Sequence, residues 1–226
     1  MQSRVRRLSG AMAVLGLGVG ILLGTTPAGQ ESESIDRKVR AFLETHKYQW
    51  RYENIAAEDG KVLFDLILAN RYVRALEIGT STGHSAIWMA WALSKTGGRL
   101  ITVEIDDYRY HKALENFKRA GLSEYIDARL ADAHELVDQL EGPFDFVFID
   151  ADKNWYTNYV KAILPKLENG GCITARNVRN LLYMRGIREF LDYVRSRQEL
   201  ETTVDETSST GIAISYKRKS IKNRPR

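Results

Sequence analysis

The stretch Leu76-Glu77-Ile78-Gly79-Thr80-Ser81-Thr82-Gly83-His84-Ser85 decides the fold. It closes a short apolar run, residues 73–78, on an acid, then turns through small residues into a helical pattern at 85–94. Gly79 and Gly83 allow backbone to approach a ligand closely, and Ser85 offers a hydroxyl at the helix start. The carboxylate of Glu77 repels a pyrophosphate and favours a ligand carrying an ammonium group. At the end of the next apolar run, twenty-one residues past Gly83, Glu104 stands where an acid can grip both hydroxyls of a ribose.

Outward from this turn the pattern is regular. Apolar runs of strand length fall at 73–78, 100–105, 126–130, 144–149 and 172–175, with helical patterns between them at 85–94, 108–120, 133–140 and 155–167. Two further helices precede them, at 35–48 and 60–70. Strict alternation predicts an α/β doubly wound, Rossmann-like sheet of seven strands, mostly parallel and covered on both faces. After a helix at 181–195, runs at 199–204 and 211–216 have no helix between them and predict an antiparallel C-terminal hairpin at a sheet edge.

At 226 residues, 44% hydrophobic and 27% charged, the chain suits one domain with an ample core, and collagen-like, coiled-coil and wholly disordered classes are excluded. Its single cysteine, Cys172, forms no internal disulfide and reads as a buried small hydrophobe. The net charge of +4 belongs to the ends: residues 1–30 carry three arginines and no acid, residues 217–226 carry six basic residues and no acid, and the body is acidic at −5. The tail at 217–226 reads as a solvated, disordered end, with no specific nucleic acid as partner. The start is different. Arg4, Arg6 and Arg7 precede an uncharged stretch that ends in small residues near Ala28, the pattern of a signal peptide or, uncleaved, of a membrane anchor over residues 1–30. Either directs the body, residues 31–216, to an exported (periplasmic or secreted) or membrane-associated location, a cytoplasm-facing domain being the other reading. Gly16, Gly18 and Gly20 follow no strand and are no nucleotide loop.

Residues 76–85, the run Thr102-Val103-Glu104-Ile105-Asp106, Ala131-Asp132-Ala133 and Phe148-Ile149-Asp150-Ala151-Asp152-Lys153 together resemble the cation-dependent O-methyltransferases related to the catechol and caffeoyl-CoA enzymes. The resemblance runs from about residue 55 to 216. It implies a transferase using S-adenosylmethionine, with Glu77, Gly79, Thr80, Ser81, Gly83 and Ser85 at the methionine end and Glu104 on the ribose. Ala133 would lie by the adenine, with Asp150, Asp152 and Tyr159 completing the pocket. It further implies a divalent cation (Mg²⁺) on Asp150, Lys153 as catalytic base, a small-molecule hydroxyl as acceptor, and a homodimer. The reaction would be an in-line O-methylation, for which the protein supplies close approach and a shielded, deprotonated acceptor oxygen.

One position departs from the pattern. The family expects Asp-Asn after the fifth strand, but the sequence reads Ala175-Arg176-Asn177-Val178. A guanidinium has no lone pair to give and repels Mg²⁺, and oxygens from Asp150 and Asn177 alone make a poor divalent site. Three accounts of Arg176 stay open: it replaces the cation electrostatically, it recognises an acidic acceptor bidentately, or the site has decayed and left a cofactor-binding or interaction protein tethered at a membrane. The methyltransferase with Arg176, Asp150 and Lys153 as its catalytic group is the favoured reading. Elsewhere, His84 reads as a helix-start packing residue, and His111 and His134 as surface. Trp88, Met89 and Trp91 read as core, and the aromatic stretch 48–52 as a cap on the acceptor pocket or as packing.

Overall fold

The computed structural model describes residues 28–50, 54–207 and 209–219. The leader or anchor expected at 1–30, with its glycine string, falls almost entirely outside the described residues, as does most of the basic tail, from 220 onward. Among the described residues no helix is long and apolar enough to cross a membrane.

Two helices open the fold, α1 (Ala28–His46) and α2 (Ala57–Asn70), and the alternating region follows: β1 (Arg74–Ile78), α3 (His84–Thr96), β2 (Arg99–Glu104), α4 (Asp107–Ala120), β3 (Ile126–Leu130), α5 (Ala133–Gln139), β4 (Phe144–Ile149), α6 (Tyr156–Ile163) and β5 (Leu167–Arg176). Then come α7 (Arg185–Ser196), β6 (Leu200–Asp205) and β7 (Ile212–Lys217). The strands form one sheet in the order β3-β2-β1-β4-β5-β7-β6. The first five pair in parallel, and β7 runs antiparallel between β5 and β6. The predicted architecture is therefore the observed one, including the terminal hairpin. The strand expected at 172–175 extends further: β5 reaches back through Glu168-Asn169-Gly170-Gly171, a polar, glycine-rich run, past a register shift against β4.

Because successive strand residues point to opposite faces, each strand feeds two cores. Phe146 and Phe148 of β4 pack under α1 to α4 with Leu63, Ile67, Ala86, Ala90 and Phe117. Val147 and Ile149 pack on the other face with Tyr156, Val160, Ile187 and Phe190 from α6 and α7, and Phe144, beyond the register shift that separates it from Phe146, joins them. Each fully buried Phe or Leu contributes about 1.5–3 kcal/mol. Helix α3 is buried nearly all round, from Ala86 to Leu93, which explains its lack of a polar stripe. Met89 and Trp91 are core, as read, and Cys172 is fully buried, with burial pushing its thiol up.

The chain winds from β1 outward through β2 and β3, then returns to place β4 on the other side of β1. Such a reversal leaves a crevice at the carboxyl ends of the two strands, where open α/β sheets bind ligands. Residues 76–85 and 148–153 meet there.

Candidate active site

The turn after β1 is built by backbone conformation. Gly79 has φ +101°, and a Cβ there would stand 2.7 Å from the carbonyl oxygen of Asp150, so only glycine lets the ends of β1 and β4 close on each other. Ser81, at φ +49°, donates its backbone N–H to Glu104 Oε2 at 2.6 Å. Glu104 Oε1 accepts from the N–H groups of Ile105 and Asp106 at 3.1 and 3.0 Å. That carboxylate is thereby fixed at the cleft wall, with accepting capacity left on Oε2.

A cleft of about 670 Å³ runs along these strand ends, bordered by Gly79, Ser81, Glu104, Ala133, Asp150, Asp152, Lys153, Tyr159, Arg176 and Asn177. All ten were singled out in the sequence. Four other candidates do not border it. Glu77, Thr80, Gly83 and Ser85 lie beneath the turn, and the Thr80 hydroxyl points at the Thr102 hydroxyl, 2.5 Å away, instead of at the cleft. Glu77 is fully buried: Oε2 accepts from Thr102 Oγ1 at 2.5 Å, and Oε1 has no hydrogen-bond partner among the described residues. Burial pushes its carboxyl up to about 8, against the pull of the Ser85 and Thr102 hydroxyls. A buried carboxyl under the turn with one oxygen unpartnered fits a ligand that brings a cationic donor.

Sequence reading missed several residues at this cleft. His134, read as surface, borders it: its ring stacks on Tyr159 (5.8 Å, 15°) and its nitrogens lie 3.3 Å from Asp132 Oδ1 and 3.6 Å from Asp152 Oδ2. The first turn of α5, capped by the Asp132 carboxylate accepting from His134 N–H, carries it there. Arg109 and Thr210 also border the cleft. His84 is the packing residue expected: Nδ1 donates to Ile55 O at 2.9 Å, Nε2 accepts from Trp88 Nε1 at 3.2 Å, and the ring stacks on Trp50. Burial pulls its pKa down to about 4, so it stays neutral. Within the aromatic stretch 48–52, Trp50 packs on the domain and Tyr48 is exposed.

At the β4 and β5 end the cleft is built of charges. Lys153 Nζ donates to Asp150 Oδ1 at 2.6 Å and to Ala151 O at 3.0 Å. Arg176, the last residue of β5, donates from Nη1 to Asp150 Oδ2 at 3.2 Å and from Nε to Asp59 Oδ2 at 3.0 Å. Asp59, from the first turn of α2 and 1% exposed, also accepts from Thr210 Oγ1 at 3.1 Å. Tyr156 donates its hydroxyl to the Arg176 carbonyl at 3.2 Å, and burial keeps that phenol protonated. Removing one partner from a buried ion pair costs about 3–5 kcal/mol, so Asp59 and Arg176 are bound to each other's presence.

These residues do not fit a divalent cation. Both oxygens of Asp150 are engaged by cations, and Asn177, in the left-handed region at φ +67°, donates Nδ2 to Asn180 Oδ1 at 3.3 Å. Among the described residues no group of three His, Cys, Asp or Glu side chains could hold a metal ion. The guanidinium of Arg176 bridges two carboxylates at the end of the strand where the resemblance asks for a metal ligand.

Sheet order, glycine turn, strand-end acid and cleft define a Rossmann-like domain of the methyltransferase type. The comparisons narrow this. A family model described as O-methyltransferase matches residues 28–199, and the chain belongs to that family. It is 41% identical over 129 residues to a catechol O-methyltransferase of Niastella koreensis, covering 55% of this chain and 58% of that one. It is 31% identical over 162 residues to a flavonoid 3',5'-methyltransferase of Vitis vinifera, covering 69% and 68%. The solved structure of an O-methyltransferase from Bacillus cereus in complex with SAH is similar at TM-score 0.69 and 25% identity, covering 88% of this chain and 94% of that one. The chain spans a little over half the length of the catechol and caffeoyl-CoA relatives it matches.

Proposed function

We propose that this chain methylates a hydroxyl oxygen of a small molecule with S-adenosylmethionine, and that Arg176 stands in for the divalent cation. One observation carries the reading: a single cleft joins the strand-end Glu104 and the Ala133–His134–Tyr159 wall to the Asp150–Lys153–Arg176 charge cluster. When bound, the cofactor supplies a methyl group already activated on a sulfonium. Glu104 would hold the ribose hydroxyls, Ala133 and Tyr159 the adenine side, and Glu77, from beneath the turn, the ammonium. Lys153 and Arg176 would hold the acceptor oxygen and stabilise its negative charge, as preorganised donors do without reorganising during the reaction. Asp150 keeps both cations in place. The assembled cleft favours an enzyme over a tethered binding protein. We read residues 1–30 as a leader or anchor that brings this domain to a membrane or across it, and the active unit as a homodimer. In inverted membrane vesicles, whose outer surface is the cytoplasmic one, the domain should then resist added protease; digestion there would put it in the cytoplasm.

The chemistry is tested by incubating the full chain with methyl-labelled cofactor and a panel of phenols, catechols and aliphatic alcohols. Label in an O-methyl product is the expected result. Label in no product, with the protein folded, overturns the reading.

A further inference from the structure

We infer that Asp59, on the first turn of α2, is a positioning residue for methyl transfer: by holding Arg176 at Nε it keeps the guanidinium off one oxygen of Asp150, leaves that oxygen to Lys153, and so presents two separate cations to the cleft. The inference rests on the function proposed above and adds to it a residue that does not itself border the cleft. An arginine beside a lone carboxylate favours a fork in which two N–H groups meet both oxygens. Arg176 makes no such fork. Its Nε donates to Asp59 Oδ2 at 3.0 Å and its Nη1 to Asp150 Oδ2 at 3.2 Å, one bond to each of two carboxylates. Asp150 Oδ1 is thereby left to Lys153, whose Nζ donates to it at 2.6 Å. One carboxylate serves two cations because a second, from another element, holds one of them off. Without Asp59 the guanidinium can swing onto both oxygens of Asp150 and compete with Lys153 for Oδ1.

Asp59 is itself held. Its carboxylate accepts from the Thr210 hydroxyl at 3.1 Å, and Thr210 lies in the turn between β6 and β7. That turn is fastened beside the site by Arg179, whose backbone N–H donates to the Thr210 carbonyl at 2.9 Å. The Tyr156 hydroxyl meanwhile fixes the backbone of Arg176 at its carbonyl. Stability alone does not call for this arrangement. The favourable place for an acid in the first turn of a helix is filled by Glu58, which is exposed, whereas Asp59 is turned inward and buried. A buried ion pair is often no more stabilising than apolar side chains of the same volume. What a carboxylate does here, and an apolar side chain does not, is orient the guanidinium. Preorganised donors owe their effect on a transition state to that orientation.

The test uses full-chain variants whose melting temperatures are checked first. Asp59→Asn keeps an acceptor of the same shape without the charge, and Asp59→Leu keeps the volume without an acceptor. Acylation of lysines in the cofactor-free chain is read at Lys153 by mass spectrometry. It should run roughly ten-fold faster there in Asp59→Leu than in the parent, the worth of one lost charge-assisted hydrogen bond, and at an intermediate rate in Asp59→Asn. With whichever phenol or catechol the parent methylates, kcat should fall about ten-fold to a hundred-fold, most in Asp59→Leu, while calorimetric affinity for S-adenosylmethionine stays within about two-fold. The loss should shrink when Asp59→Leu is made in a Lys153→Met background, where no lysine is left to displace; independent effects would multiply instead. Should Asp59→Leu fail to fold, Asp59→Asn carries the same three readouts. Lys153 labelled at the parent rate in a folded variant overturns the inference, as do losses that multiply across the two sites or a fall in kcat matched by a fall in cofactor affinity. Faster labelling in a chain whose parent form methylates no acceptor would instead sink the proposed function and leave the hold of Asp59 on the two cations standing.

Discussion

Replacing Arg176 with Asp should turn a metal-indifferent enzyme into a metal-dependent one. In chelator, the Arg176→Asp variant loses a cationic donor to the acceptor oxygen, and rates fall roughly a hundred-fold or more. In Mg²⁺ part of the rate should return, because the introduced carboxylate, Asp150 and Asn177 would then offer two carboxylates and an amide oxygen to a hard cation. The same substitution strips Asp59 of its partner and sets three carboxylates close together where two were bridged by one guanidinium. The variant should therefore melt earlier than the parent, and Mg²⁺ should restore part of the loss. The double variant Asp59→Asn with Arg176→Asp removes the stranded carboxylate and guards against a result that reports only unfolding. A variant equally active in both buffers would show that Arg176 does not occupy the role of a cation.

Glu77 carries the second large effect. Its carboxyl is raised to about 8 by burial, against an ordinary value of 4.5. A folded-state pKa above the unfolded one means that the neutral form is favoured in the fold. The resulting stability is full below pH 4.5, declines between 4.5 and about 8, and is gone above that. Glu77→Gln stays neutral throughout. It should match the parent's melting temperature near pH 4.5 and exceed it increasingly toward pH 8, because the parent must then ionise a buried carboxyl. Function should move the other way. A charge-assisted hydrogen bond to the cofactor's ammonium is worth about 1.5–3 kcal/mol, so cofactor affinity should fall roughly ten-fold to a hundred-fold. Calorimetry on the parent should show binding that tightens from pH 6 toward 8 and releases protons, with both dependences lost in the variant. Equal affinities for parent and variant would remove Glu77 from the cofactor site.

The fold was legible because its signal is periodic and local. Alternating strand and helix patterns, the glycine turn and the strand-end acids each sit within a few residues of what they position. The hidden part of β5 shows the limit: Glu168-Asn169-Gly170-Gly171 has the composition of a turn, and only pairing with β4 makes it strand. In the site, Arg176 was legible as an anomaly because a guanidinium cannot ligate a metal. Its partner was not. Asp59 lies 117 positions away on α2, and nothing local marks it beyond being an acid close to a run of apolar residues. A buried carboxylate needs a cation, but sequence alone does not say which of 33 Lys and Arg side chains supplies it. His134 is exposed, as read, but its place on the cleft wall was not legible, because its stack on Tyr159 depends on α5 and α6 packing side by side. The direction of the Thr80 hydroxyl, toward Thr102, was not legible either, because Thr102 lies on the neighbouring strand 22 positions away.

The geometry of Arg176 also separates this chain from what its family resemblance implies. The strand ends that would converge on a cation converge instead on a guanidinium bridging Asp59 and Asp150, with Lys153 on the free side of the same carboxylate. The most direct measurement is methyl transfer by the unaltered full chain to an acidic phenol, in excess chelator and again in Mg²⁺. The same rate in both buffers is the predicted result. Activity abolished by the chelator and restored by Mg²⁺ would contradict it.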